Sequence, residues 1–300
     1  MKYIAESINK YFILNIFILT VFIVTSTLFA KDEKGFINTG VGSLNKDSNI
    51  DFGVKDSLVV YLEGEYKVNE ERYLYIRNID EYILIGSMII TDYGMFDIGL
   101  GGSYTQGWDN PFDINSRKKI DIYEIGLSLG YGFMLSENHT SIFSVIFMDK
   151  TYSKERVSDT LKRAGKKYIY MLENYYHVDF YKGITLIFNP IYTRYNADGK
   201  ASIYSEYFTE FGMEMDILDN FNFAFIHRLG NRYYKHVNPI YLKTIESNIN
   251  KISAMLTLKK PFGYEKLTLS YIYEHKKEKA NVDFYNETNR YNIISIGYQF

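Results

Sequence analysis

The last twelve residues, Asn289 to Phe300, constrain the chain more than any other stretch. Phe300, Tyr298, Ile296 and Ile294 fall on one face, and Gln299, Gly297 and Ser295 on the other, which is the two-residue period of a β-strand. One face is wholly apolar and the other is small or polar. A strand of that kind separates hydrocarbon from water, and Tyr298 and Phe300 sit at its end, where a membrane barrel carries its aromatic girdle.

On Ile294, Ile296, Tyr298 and Phe300 this segment resembles the C-terminal strand of Gram-negative outer-membrane β-barrel proteins. The resemblance implies that these four residues form the signal read by the barrel-assembly machinery. It also implies contact with outer-membrane lipid and lipopolysaccharide.

The N-terminal region agrees with export. Lys2 and Lys10 flank a short polar start, and an apolar run from Tyr11 to Phe29 ends at Ala30, just before Lys31-Asp32-Glu33-Lys34. These are the parts of a secretory signal peptide over residues 1–30, with cleavage expected after Ala30. The chain has no Cys, so neither a lipoprotein acylation site nor a disulfide framework is present. A formal net charge of -2 excludes a nucleic-acid binder driven by bulk positive charge. Mean hydropathy is slightly negative although 46% of residues are apolar, which excludes a helical membrane protein and suits a barrel that hides its apolar band in alternate positions. Thirty Tyr and 21 Phe against four Pro make the chain rich in β-formers and poor in strand breakers.

The alternation predicts an all-β, up-and-down antiparallel transmembrane β-barrel over residues 57–300, with 31–56 a periplasmic lead-in or small plug. Strands are expected near 57–65, 80–91, 95–105, 119–135, 140–150, 167–180, 184–195, 201–217, 221–229, 250–259, 266–275 and 290–300. In 119–135, Tyr123, Ile125, Leu127, Leu129, Tyr131 and Phe133 alternate with Glu124, Gly126, Ser128, Gly130 and Gly132. Connections alternate between short (92–94, 136–139, 181–183, 218–220, 260–265) and long (106–118, 151–166, 230–249, 276–289), as periplasmic turns and extracellular loops do. The count is about twelve strands. Ten would follow if two of the weaker strands fail, and fourteen if 31–56 supplies a hairpin.

The inferred inner faces carry Glu63, Glu65, Asp97, Glu124, Glu173, Asp179, Glu206, Glu210 and Glu214, with Arg228, Lys251 and Lys259 as bases. Acids outnumber bases in this set, so the expectation is a water-filled, porin-like channel for small polar or cationic solutes. The alternative is a closed structural or surface-binding, adhesin-like barrel in which these charges pair across the lumen. Gly99, Gly101, Gly126, Gly130 and Gly132 either leave open space or seat inward tyrosines. The basic loop from Lys150 to Lys167 is a candidate for lipopolysaccharide or an acidic ligand, with Val157, Leu161 and Gly165 spaced for a short capped helix.

No enzyme, cofactor or metal is expected: the five histidines show no metal-ligand spacing. His227-Arg228-Leu229-Gly230-Asn231 resembles the His-containing stretch of outer-membrane phospholipase A, but Leu229 stands where that family has its nucleophilic Ser. The acids Glu210, Glu214 and Asp216 resemble the clusters of barrel-type surface proteases, without a His nearby in sequence. An autotransporter translocator is a further alternative, but residues 31–56 offer no passenger.

Overall fold

A computed structural model describes residues 35–50, 56–79, 82–178 and 183–300. Fourteen strands are wound in sequence order: β1 (Gly35–Ser48), β2 (Asp56–Asn69), β3 (Arg72–Ile79), β4 (Tyr82–Thr91), β5 (Gly94–Trp108), β6 (Lys119–Ser136) and β7 (His139–Tyr152). The second half comprises β8 (Gly165–His177), β9 (Ile184–Ala197), β10 (Tyr204–Leu218), β11 (Phe221–Tyr234), β12 (Glu246–Lys259), β13 (Leu267–Ala280) and β14 (Glu287–Gln299). Each strand pairs antiparallel with the next, and β1 pairs with β14 to close the barrel. The closing seam is continuous from Phe36 opposite Gln299 to Ser48 opposite Glu287.

Outward side chains are large and apolar: Ile125 is 72% exposed, Leu100 66%, Ile85 61% and Ile294 60%. Water would not tolerate so wide a band, whereas hydrocarbon requires it. Aromatic rings cluster on this wall, as in the Phe96–Tyr131 and Phe188–Phe211 pairs, whose centroids lie 5.1 and 5.3 Å apart. The chain terminus lies at the end with tight connections, such as residues 92–93, 137–138 and 219–220. Longer connections, at 109–118, 153–164, 198–203, 235–245 and 281–286, gather at the other end.

The expected twelve strands become fourteen, by a different route from the hairpin considered above. The stretch 31–56 contributes one strand, β1, so residues 35–48 are barrel wall and neither lead-in nor plug. The other addition is β3, eight residues whose inward positions are Tyr73, Tyr75 and Arg77. Tyrosines on the lumen side blur the contrast between faces, so β3 reads as a loop. In β1 the outward face is diluted by Thr39, Ser43 and Asn45, and Gly40 and Gly42 imitate turn residues. These glycines instead allow close approach at the seam: a Cβ on Gly42 would lie 2.1 Å from the Asn292 carbonyl oxygen.

The loops expected at 230–249 and 276–289 shrink to 235–245 and 281–286, because β11 to β14 run well past the apolar band. Gly165 begins β8 and caps no helix; the preceding loop holds a single 3₁₀ turn at Asp159–Leu161. Of the two readings of the lumenal glycines, Gly99 follows the second, since a Cβ there would meet the Tyr75 hydroxyl at 2.8 Å and Leu84 at 3.0 Å.

Ile294→Lys, in mid-band on the closing strand, is expected to destabilise the barrel by about 2–4 kcal/mol, read by urea unfolding in lipid vesicles. An unchanged midpoint would place Ile294 off the lipid face.

Candidate functional site

Pairing register places Glu63, Glu65, Asp97, Glu124, Glu173, Glu206, Glu210, Glu214, Arg228 and Lys251 on inner faces of their strands. Asp179 lies outside the described residues. The ten do not form one site. Towards the terminus end, Glu63 accepts from Tyr61 and from Asn38 Nδ2 (3.4 Å), and Glu214 accepts from Asn222 Nδ2 (3.1 Å). Lys259, also proposed for the lumen, bonds Asp216 at 2.6 Å near the same end. Glu65 is opposite Tyr75 and Asp97 opposite Gly130, while Glu173 accepts from the Tyr175 hydroxyl at 3.0 Å.

Glu124, Glu206, Glu210, Arg228 and Lys251 come together in the loop-side half, inside a lattice of ion pairs. Arg232 is its hub, with Nε 2.6 Å from Glu206 and Nη1 2.7 Å from Glu278. Arg228 Nε donates to Glu210 at 2.6 Å, Lys251 meets Glu274 at 2.9 Å and Lys150 meets Glu124 at 3.3 Å. Across the seam, Glu287 takes Lys276 at 3.0 Å and Lys46 of β1 at 3.6 Å.

Sequence reasoning missed Arg232, Lys276, Lys46 and Lys150, together with Glu274, Glu278 and Glu287. The signal was present: Arg228 and Arg232 share a parity, as do Glu274, Lys276 and Glu278. For Arg232, Lys276, Glu278 and Glu287 it is hidden because the apolar alternation that marks β11, β13 and β14 ends before these positions, whereas Glu274 and Lys150 lie within the expected strands and Lys46 on the unexpected β1.

This lattice surrounds a chamber of about 240 Å³. Its wall includes Lys46, Lys150, Arg163, Lys167, Arg228, Arg232, Lys251 and Lys276, against Glu124, Glu206, Glu274 and Glu287. Adding the partners Glu155, Glu210 and Glu278 brings the wall close to balance, yet the two signs are not equally presented. Arg232 is 17% exposed where its partners Glu206 and Glu278 are 6% and 1%; Arg228 is 19% exposed where Glu210 is 9%. In these groups the carboxylate is the more buried partner, whereas Lys46 and Lys251 are more buried than their partners Glu287 and Glu274. Aromatic rings underlie some of the bases: the Arg232 guanidinium lies 4.8 Å from the Tyr204 centroid and that of Arg163 4.7 Å from Tyr152.

Loops roof the chamber. Phe112, between β5 and β6, stacks on Phe284, between β13 and β14, with centroids 5.1 Å apart. Those loops start six strands apart by the shorter way round the fourteen-strand ring, so the contact crosses the mouth. Arg163, between β7 and β8, spans it a second way: Nη1 donates to the Ile50 carbonyl at 3.1 Å, and Nε to Glu155 at 2.9 Å. Tyr285 accepts from Asn238 at 2.8 Å and packs with Ile245, Ala280 and Val282.

Asp109 anchors the 109–118 loop, taking Arg156 and the backbone N–H groups of Lys118 (2.7 Å) and Asn110 (2.8 Å). Burial opposes its charge, but the Arg156 and backbone hydrogen bonds outweigh burial and hold the carboxyl below its ordinary range. The basic loop 150–167 therefore turns much of its charge inward, through Lys150, Arg163, Lys167 and the Arg156–Asp109 pair.

The stretch resembling phospholipase lies on β11 with His227 facing outward. Its ring bonds the Asn250 side chain at 3.0 Å, and Leu229 at the nucleophile position is lipid-facing. No nucleophile is supplied there.

A family model described as "Protein of unknown function (DUF2860)" matches residues 90–299. The chain belongs to this family. The DUF2860 segment runs from the end of β4 through β14, so it holds the chamber wall except for Lys46, Ile50 and Tyr82. No curated protein matches the chain. Among solved structures it is similar to one titled "Bacterial polysaccharide outer membrane secretin", at 10% identity and TM-score 0.51, over 89% of this chain and 99% of that one. It is also similar to the toluene transporter TbuX of Ralstonia pickettii, at 7% identity and TM-score 0.53, over 90% of each. These likenesses are of fold: this DUF2860 chain has the outer-membrane β-barrel architecture.

Arg232→Met should destabilise the barrel by about 3–5 kcal/mol, because it strands Glu206 and Glu278 in the wall. Glu206→Gln with Glu278→Gln in the same chain should recover a large part of that loss. Urea midpoints in micelles read both, and equal midpoints for Arg232→Met and wild type would remove the hub.

Proposed function

We propose that this protein is an outer-membrane channel for small polar solutes, held shut at rest by its loops and favouring anions. The observation that carries the reading is the roofed chamber inside a closed barrel, lined by eight Lys and Arg side chains against four Glu. The similar structures are a polysaccharide outer-membrane secretin and a toluene transporter, which supports a channel in general terms. An ionic wall suits a charged or hydrogen-bonding solute far better than a hydrocarbon. The cation preference expected from the strand acids is set aside in this reading, because the chamber lining holds eight Lys and Arg side chains against four Glu. Export by residues 1–30 and assembly through Ile294, Ile296, Tyr298 and Phe300 belong to the same proposal.

A second reading, a permanently closed structural barrel, draws on the cross-mouth contacts and on the completeness of the ion-pair lattice. Conductance separates the two. In planar bilayers with a salt gradient, the refolded full chain should give rare steps that reverse on the anion side. Phe112→Ala with Phe284→Ala should raise the open fraction severalfold. Silence in the double variant, with heat-modifiable gel migration intact, would favour the closed barrel; reversal on the cation side would overturn the anion preference.

Acid should open the roof through Asp109. Its carboxyl is held below the ordinary value of about 3.9, so its stabilisation of the loop is present at neutral pH and fades as pH falls through the lowered value. The open fraction attributable to this loop should stay flat from neutral pH to about pH 4 and rise below it. Asp109→Asn should abolish that acid step.

A further inference from the structure

The outer wall of β13 changes character along its length. Its outward residues run Leu267, Leu269, Tyr271, Tyr273, His275, Lys277 and Lys279 from the terminus end to the loop end. Its neighbour β14 follows the same course through Tyr298, Ile296, Ile294, Asn292 and Arg290. Register sets His275 opposite Arg290, and Lys277 between Thr288 and Asn250. The Tyr271 hydroxyl donates to Asn292 at 2.8 Å, marking the upper limit of the apolar band on these two strands. Immediately above it, four basic side chains occupy adjoining positions, about 5 Å apart across strands and about 7 Å apart along them.

Lys277, Lys279 and Arg290 are exposed, and none of them forms an ion pair among the described residues. Lys166, another outward base at this level, stands opposite Asp149 across the sheet. Loop 150–167 is no competitor for an external anion, since much of its charge is engaged inside or in the roof. A cluster of bases beside the hydrocarbon edge meets the layer where acidic lipid headgroups lie, and phosphate oxygens accept charge-assisted hydrogen bonds from Lys and Arg together.

We propose that His275, Lys277, Lys279 and Arg290 form a binding site on the outer wall for the phosphate groups of an outer-leaflet glycolipid of the lipid A type. The proposal rests on the outer-membrane placement and the loop-end-outward orientation, and is independent of conduction through the lumen.

The test uses the full chain in detergent, titrated with bis-phosphorylated lipid A, phosphate-free lipid A or inorganic phosphate, with retained lipid read by native mass spectrometry. Wild type should retain bis-phosphorylated lipid A and little of the phosphate-free form. The triple variant Lys277→Gln, Lys279→Gln, Arg290→Gln should bind it more weakly, on the order of 100-fold for three charges. Lys260→Gln with Lys266→Gln, at the opposite end, should bind like wild type, and Lys277→Arg with Lys279→Arg should keep the site. Heat-modifiable migration checks that each variant is folded. Equal retention by the triple variant and wild type, equal retention of the phosphate-free lipid, or displacement of lipid A by millimolar inorganic phosphate would each overturn the assignment.

Discussion

A strand in hydrocarbon has no water to satisfy its backbone, so every amide and carbonyl at membrane depth must bond to another strand and no edge is allowed. The β1–β14 seam meets that requirement, and the remaining architecture depends on it. It explains why the polar, glycine-bearing stretch 35–48 is a full strand of fourteen residues. It also explains why Gly42 lacks a side chain, since bulk there would hold the two strands apart. Lys46 and Glu287 lie on opposite sides of the seam, so closure and the interior charge lattice reinforce each other.

A barrel of this size leaves interior space that has to be occupied by side chains or by water. Here the loop-side half is occupied by arginines, lysines and glutamates bound to one another over tyrosine rings. Removing charges from water is expensive, and mutual pairing offsets that cost without adding much net stability. The lattice is therefore better understood as fixing position. Arg232 holds Glu206 of β10 and Glu278 of β13 from its place on β11, and so sets the shape of the space around them.

Fold class was legible because lipid imposes a strict outward rule: Ile294, Ile296 and Tyr298, or Ile125, Leu127 and Leu129, cannot be explained by chance alternation. The inward rule is loose. Tyr73 and Tyr75 on β3 are compatible with either environment, so that strand disappeared into its surroundings. Above the apolar band both faces become polar and the two-residue signal fades, which concealed the upper parts of β11, β13 and β14. The acids of the interior were found on strand segments within the band, and several of their partners lay beyond it. For that reason the inner placement of Glu206, Glu210 and Arg228 could be inferred, while that of Arg232, Lys276, Glu278 and Glu287 could not. The roof was out of reach, since nothing in sequence brings Phe112 to Phe284.

The Phe112–Phe284 contact also has a bearing on the order of assembly. Its two loops belong to hairpins from the early and late parts of the chain, and they are brought face to face only once the ring has closed. Contacts between distant parts of a chain form late, after the loop entropy between them has been overcome by other pairings. The mouth contact therefore forms only after the ring has closed, so a half-zipped intermediate would lack this bridge between opposite sides of the barrel.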